Sequence, residues 1–243
     1  MVKGHLTECP TCKTPRDEDG RWQTGKYRLD GQEQPCDCST QVELFQHYVL
    51  SGIPDQYMRL DWDRDYYGDP EAQDSVAGYL EKWNGMNRNG IGMEFAGTLG
   101  IGKTFAVTAL AKELIKRGED VLFVQFVEVL EAIRYERFDF LEKIKNIRVL
   151  ILDELVSPPN DKLQTIFADH FEYIIRYRTN NNGVNIMTTN LSAGEIEDKY
   201  ARVYSLMRAK SISVEMKGKD ARRGEAAARN LALAMNDEVR PIS

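Results

Sequence analysis

The stretch GTLGIGKT, residues 97–104, decides how this chain is read. It satisfies the P-loop pattern with Gly97, Gly102, Lys103 and Thr104. Each residue type has a chemical reason. The glycines, Gly100 included, let backbone N–H groups, Thr98's among them, turn inward onto phosphate oxygens. A helix opening near Lys103 presents its positive end to the same phosphates. Lys103 supplies a point charge for the β- and γ-phosphates of ATP, and the Thr104 hydroxyl is a ligand for Mg²⁺. The pattern lies between an apolar strand-like run, IGMEFAG, and a helical pattern, KTFAVTALAKELIKRG, which Gly118 stops. Strand, loop and helix in that order are what phosphate binding requires.

Downstream, RVLILDE is an apolar strand ending in two carboxylates. Such a strand makes a poor core element unless its acids act at the C-terminal edge of a sheet. Successive side chains on a strand point in different directions. Asp153 is therefore expected to face Mg²⁺ and Glu154 to polarise a water for in-line attack on the γ-phosphate. VNIMTTN ends in Asn190, whose amide suits the same water or a γ-phosphate oxygen.

From Val76 onward, apolar strand-like runs alternate with helical patterns. The further strands are expected at VLFVQF, RVLILDE, VNIMTTN and SISVEM. Helices are expected at VEVLEAIRYERF, at NDKLQTIFADHFEYIIRYRTNNNG, after the Ser192/Glu195 capping box, and at GEAAARNLALAMND. The pattern predicts an α/β fold with a parallel five-stranded sheet.

The four cysteines of this 243-residue chain, Cys9, Cys12, Cys36 and Cys38, all fall at its beginning. Cys9-Pro-Thr-Cys12 has the gap of a zinc knuckle, and Cys36-Asp-Cys38 is tighter. A structural zinc site is expected, with His5 or His47 able to replace one thiolate. Residues 1–40 hold six Lys or Arg against seven Asp or Glu. A Cys₄ site adds negative charge, so a protein partner is expected there rather than phosphate. Trp22, Tyr27 and Leu29 are candidate contact residues. Residues 199–243 hold ten Lys or Arg against five Asp or Glu, which fits phosphate contacts. Arg134, Tyr135 and Arg137 form a candidate DNA-facing segment. The net charge of −6 excludes a generally basic coat protein. MVKGHLTECP has no apolar core of a secretory signal, and no run is long enough to span a bilayer, so a cytoplasmic protein without membrane contact is expected.

The ordered set GTLGIGKT, LILDE, a long helix ending YRTNNN, then TTNLS resembles the AAA+ ATPases. More narrowly it resembles the replicative-helicase loaders of the DnaC and DnaI type, and CPTC…CDC followed by SGIPDQYMRL is similar to their zinc-bearing members. The resemblance implies an ATPase that binds the replicative DNA helicase, helps place it on single-stranded DNA, and self-associates through ATP. In ARVYSLMRA it places the arginine finger at Arg208, with Arg202 as the second candidate, and in KGKDARR it makes Arg222 a sensor contacting ATP within its own subunit. Composition and pattern divide the chain into three parts, which the resemblance reads as a zinc-binding helicase-interaction module over 1–50, an acidic linker or docking segment over 51–75 interrupted by Tyr57, Trp62, Tyr66 and Tyr67, and an AAA+ domain over 76–243 with no full lid domain. A transposition-helper ATPase acting on duplex DNA shares the same core. A small-molecule P-loop kinase would use neither Glu154 nor Arg208, and a scaffold holding ATP as a structural ligand would not turn it over.

Overall fold

The computed structural model describes residues 6–156, 164–218, 235 and 238–243. The chain divides into two compact units, one of Met1–Tyr67 with Ala221–Ser243, the other of Gly68–Asp220.

The first unit contains a hairpin, β1 (Gly25–Leu29) and β2 (Gln32–Cys36), followed by α1 (Cys38–Leu50), α2 (Asp55–Met58) and α3 (Trp62–Asp65). Asp37 caps α1, accepting from the Thr40 N–H at 3.2 Å and the Thr40 hydroxyl at 2.7 Å. That cap places Cys38 on the first turn of the helix, directly after the Cys36 that ends β2. Residues 238–243 belong to this unit, with Ile242 buried.

The second unit begins with α4 (Pro70–Glu81) and α5 (Trp83–Asn89). Asp69 caps α4 and Pro70 occupies its first turn, where a missing N–H costs nothing. The stretch expected as a linker, 51–75, thus contains α2, α3 and the first half of α4. Then follow β3 (Gly92–Ala96), α6 (Lys103–Lys116), β4 (Val121–Gln125), α7 (Phe126–Arg134), α8 (Phe138–Asn146), β5 (Val149–Leu155), α9 (Gln164–Asn180), β6 (Val184–Thr189), α10 (Ala193–Arg208) and β7 (Ser211–Glu215). The five strands β3 to β7 form one parallel sheet in the order β4-β5-β6-β3-β7. Its central strands are buried along nearly their whole length, as helices on both faces require. The Ser192/Glu195 capping box opens α10 as expected. The expected final helix, Arg222 and any lid lie outside the described residues.

One element differs from its sequence pattern. The helix expected through VEVLEAIRYERF stops at Arg134. Glu136 takes a left-handed φ of 52°, and Arg137 N–H donates to Ala132 O at 2.8 Å. That is a Schellman-type ending without its usual glycine, so the stop leaves no compositional mark.

Arg178 holds the N-terminal side of the sheet together. It is 1% exposed and faces no carboxylate. Its guanidinium donates instead to Ile144 O (2.8 Å) and Ile147 O (2.7 Å) at the end of α8, to Val184 O (2.8 Å) and to Asn185 Oδ1 (2.6 Å) on β6. Burial, and then the neighbouring Arg148, push its pKa down. The carbonyl oxygens, including those at the negative end of α8, hold the charge. Arg178→Met leaves these buried carbonyls without donors and is expected to cost about 3 kcal/mol or more, to be read as a lower midpoint in urea denaturation.

Candidate functional site

The sheet order places β6 between β3, which leads into the P-loop, and β5, which carries the two acids. The site is therefore assembled at the C-terminal ends of three adjacent strands.

The loop takes backbone conformations that glycine alone adopts easily. Gly97 has φ 147°, and a Cβ on it would lie 2.5 Å from Met216 O. Gly102, the N-cap of α6, has φ 92°. Gly100 has φ 80°, completing three left-handed turns within six residues. Lys103 is buried, and its ammonium donates to Gly97 O (2.7 Å) and Thr98 O (2.6 Å), spanning the loop it closes. Gly97 N–H donates to Thr189 O at 3.3 Å, so Asn190, exposed just beyond β6, is held beside the first glycine of the loop.

The carboxylate pair owes its arrangement to a β-bulge. Leu152 pairs with Met187 and Leu155 with Thr189, so Asp153 and Glu154 together stand opposite Thr188. Glu154 takes φ 59°, a strained value for a residue with a Cβ. As a result Asp153 is 2% exposed while Glu154 is exposed. The Thr188 hydroxyl accepts from Glu154 N–H at 2.8 Å and donates to Asp153 Oδ1 at 2.7 Å. Thr104 Oγ1 donates to the same Oδ1 at 3.2 Å. Burial raises the Asp153 pKa; the Thr188 and Thr104 bonds oppose this, Glu154 adds to it, and Lys103 opposes it. A buried carboxylate and a hydroxyl converging from two elements form an all-oxygen donor set suited to Mg²⁺. Thr188 itself was not singled out in the sequence. Its signal was the TTN that ends β6 beside the strand with the acids.

Arg208 ends α10 and is exposed, its guanidinium 5.8 Å from the centre of the Tyr204 ring. It immediately precedes β7, the edge strand paired with β3, and so lies at the N-terminal end of the strands, whereas the P-loop lies at their C-terminal end. Arg202 is exposed too and lies 3.8 Å from Glu172 on α9. Neither residue is brought to the phosphate loop of its own chain. Arg222 and His5 fall outside the described residues.

In the first unit, the Sγ atoms of Cys9, Cys12, Cys36 and Cys38 all lie within 4.8 Å of one another. Cys9 and Cys36 are 3.8 Å apart and Cys12 and Cys38 are 3.3 Å apart, all as free thiols. A tetrahedral Zn²⁺ at about 2.3 Å from each sulfur sets them about 3.8 Å apart, so the donor set fits one such ion. His47, exposed on the last turn of α1, is outside the cluster, which corrects its place among the candidate ligands. Trp22 and Tyr27 pack against the cysteines and so cover the cluster, and Leu29 is buried.

The turn between α7 and α8 presents Tyr135 and Phe138, 68% and 60% exposed, interleaved with Arg134 and Arg137. No helix among the described residues is long and apolar enough to cross a membrane.

Comparison with known proteins places these features. The family model of the IstB-like ATP binding protein matches residues 83–205, just over half of the chain, from α5 to the last turns of α10. The fold is similar to solved structures of DnaI (22% identity, 68% of this chain and 95% of that one, TM-score 0.57) and of the DnaC helicase loader (23%, 67% and 95%, 0.53). It is also similar to a putative primosome component from Streptococcus pyogenes serotype M3 (22%, 70% and 92%, 0.55). No curated protein matches. The chain belongs to the IstB-like ATP binding protein family and is an ATPase with a P-loop core.

The Asp153 environment carries a pH prediction. A carboxyl raised by burial loses its charge at a higher pH than an exposed one, and the Thr188 bond opposes that rise. Thr188→Val removes the bond, so the acid limb of the pH profile of Mg²⁺-dependent ATP hydrolysis is expected to move to higher pH. An unmoved limb would show that Asp153 does not set it.

Proposed function

We propose that this chain is an ATP-dependent loader that binds a replicative DNA helicase and helps place it on single-stranded DNA. What supports the reading is one combination: a four-cysteine module on the same chain as an ATPase core whose fold is that of DnaI and DnaC. The IstB-like match fits a transposition-helper ATPase acting on duplex DNA equally well. The cysteine module, whose sequence is no phosphate binder, favours the first.

In the proposed mechanism the P-loop N–H groups and Lys103 hold the β- and γ-phosphates, Thr104 and Asp153 hold Mg²⁺, and Glu154 orients the attacking water. Bound Mg²⁺ supplies neutralising charge for the phosphates. The bulge suits this division, keeping one carboxylate buried against the metal position while turning the other outward. Asn190 is placed to hold the water or a γ-phosphate oxygen. Arg208 lies at the end of the strands opposite the P-loop, so its finger role is in trans, completing the site of a second copy. Zinc in the cysteine cluster fixes the surface that meets the helicase. The turn bearing Tyr135 and Phe138 with Arg134 and Arg137 has the mixture of stacking faces and cations that single-stranded DNA favours.

Three outcomes test this. Glu154→Gln is expected to bind ATP normally and to lose turnover by about 10²-fold or more, the usual worth of a positioned base. Arg208→Ala should bind ATP yet lose about 10³-fold in assembly-dependent turnover; mixing it with Glu154→Gln subunits should restore part of that activity. Co-assembly without restoration would assign the trans role to Arg202. Metal analysis should find one zinc per chain, and Cys9→Ser should abolish both zinc and helicase capture while ATP binding persists. Capture by a zinc-free chain would sink the module's proposed role.

A further inference from the structure

Residues 238–243, which the proposed mechanism does not use, lie in the first unit outside any helix or strand and are bound there by named side chains. Val239 N–H donates to Arg28 O at 2.9 Å. Arg240 places its guanidinium 2.7 Å from Asp65, a pair whose side chains are 9% and 6% exposed. Gln41 reads the main chain of Ile242 twice: Oε1 accepts its N–H at 2.6 Å and Nε2 donates to its carbonyl at 3.0 Å. The Ile242 side chain is 3% exposed. Ser243 is held by Tyr48, whose hydroxyl donates to its carbonyl at 2.7 Å, and by Leu60 O, which accepts from its hydroxyl at 2.9 Å.

This is how peptide-binding sites work: main-chain bonds give affinity and alternate side-chain pockets give specificity. One pocket here takes a cation against a buried carboxylate, and the next but one takes a branched aliphatic. The groove is also built on the cysteine knuckle. Gln41 Oε1 accepts from the hydroxyl of Thr11, between Cys9 and Cys12, at 2.6 Å. Arg59 donates to Pro10 O in the same knuckle at 2.6 Å, and to the carbonyl of Arg240. Its charge also interacts with Cys9 and Cys36. Two of the side chains that hold the peptide backbone, Gln41 and Arg59, thus also hold the knuckle.

We propose that the first unit is a peptide-recognition module for an Arg-x-Ile segment, that residues 239–243 are its resident ligand, and that peptide docking and zinc binding stabilise each other. By linkage the coupling is reciprocal, so losing the metal loosens the peptide to the same degree that losing the peptide weakens the metal. The coupling rests on the zinc reading above; the groove does not.

Amide hydrogen exchange at Ile242 in the full chain tests the proposal. The amide should be protected, and Gln41→Ala or Asp65→Asn should each speed its exchange about tenfold or more, since each removes a bond to a buried or charged group. Removing zinc with a chelator should do the same. In a chain ending at residue 237, the labelled peptide Glu-Val-Arg-Pro-Ile-Ser should bind in trans, and its Arg→Ala form about tenfold or more weaker. Free-chain exchange at Ile242 in the full, metal-loaded protein overturns the groove. So does failure of a folded 1–237 chain to bind the peptide. Protection untouched by chelation overturns the coupling. If the chain carries no zinc, the zinc reading and the coupling fail, while the Gln41 and Asp65 variants still decide the groove. If the shortened chain does not fold, exchange in the full chain decides alone.

Discussion

The hydroxyl of Thr188 sits where two residues of one strand face one residue of the next. It accepts a hydrogen bond from the backbone N–H of Glu154 and donates one to Asp153. A regular parallel pair would give each acid its own partner and send the two side chains to opposite faces of the sheet. The extra residue breaks that alternation just before the strand ends. One carboxylate then turns under the loop, next to Thr104, and the other is lifted into solvent with its backbone in a left-handed conformation. The strain at Glu154 is tolerable because Thr188 satisfies the N–H that the bulge would otherwise orphan.

The positive charges are divided by a similar economy of position. Lys103 is buried against the carbonyls of its own loop, and those oxygens, with the nearby Asp153, offset the cost of burying its ammonium. Arg178 is buried at the other end of the sheet with carbonyl oxygens in place of an acid. Its planar fork reaches α8, β6 and the turn between α8 and β5 at once, which a lysine's single ammonium could not do. In sequence it is one of two arginines on α9, with Arg176, and nothing in the pattern marks it as the buried one.

The parallel sheet, the P-loop and the strand ending in Asp153 and Glu154 were legible because each writes a strong local signature: glycines at fixed spacing, or an apolar run ending in acids. The capping box at Ser192 was legible for the same reason. The α7 stop was not, since Glu136 occupies a left-handed position that glycine normally announces. The bulge was hidden because it depends on the register of β5 against β6, a relation between strands rather than a property of either. Cysteine spacing alone suggested a metal cluster, but it could not place the histidines; the fold leaves His47 on the exposed end of α1, away from the cluster. The aromatic residues near the cysteines were ambiguous between a partner surface and a cover. Packing resolves them as cover, since a small module with little apolar core needs Trp22 and Tyr27 to shield its thiols.

That shortage of core also explains why residues 238–243 matter to the first unit. Among its described residues, the two strands carry five residues each and two of the three helices only four, which buries little apolar area. Ile242, remote in sequence, supplies a buried aliphatic, and Arg240 neutralises the Asp65 carboxylate, itself already tied to Asp61 N–H at 2.8 Å. Asp65 would be a costly buried anion without that cation. The unit's stability is therefore shared between its cysteine cluster and a segment that the sequence reaches only after the whole ATPase core. A change at either one must be felt at the other through Gln41 and Arg59, the side chains common to both.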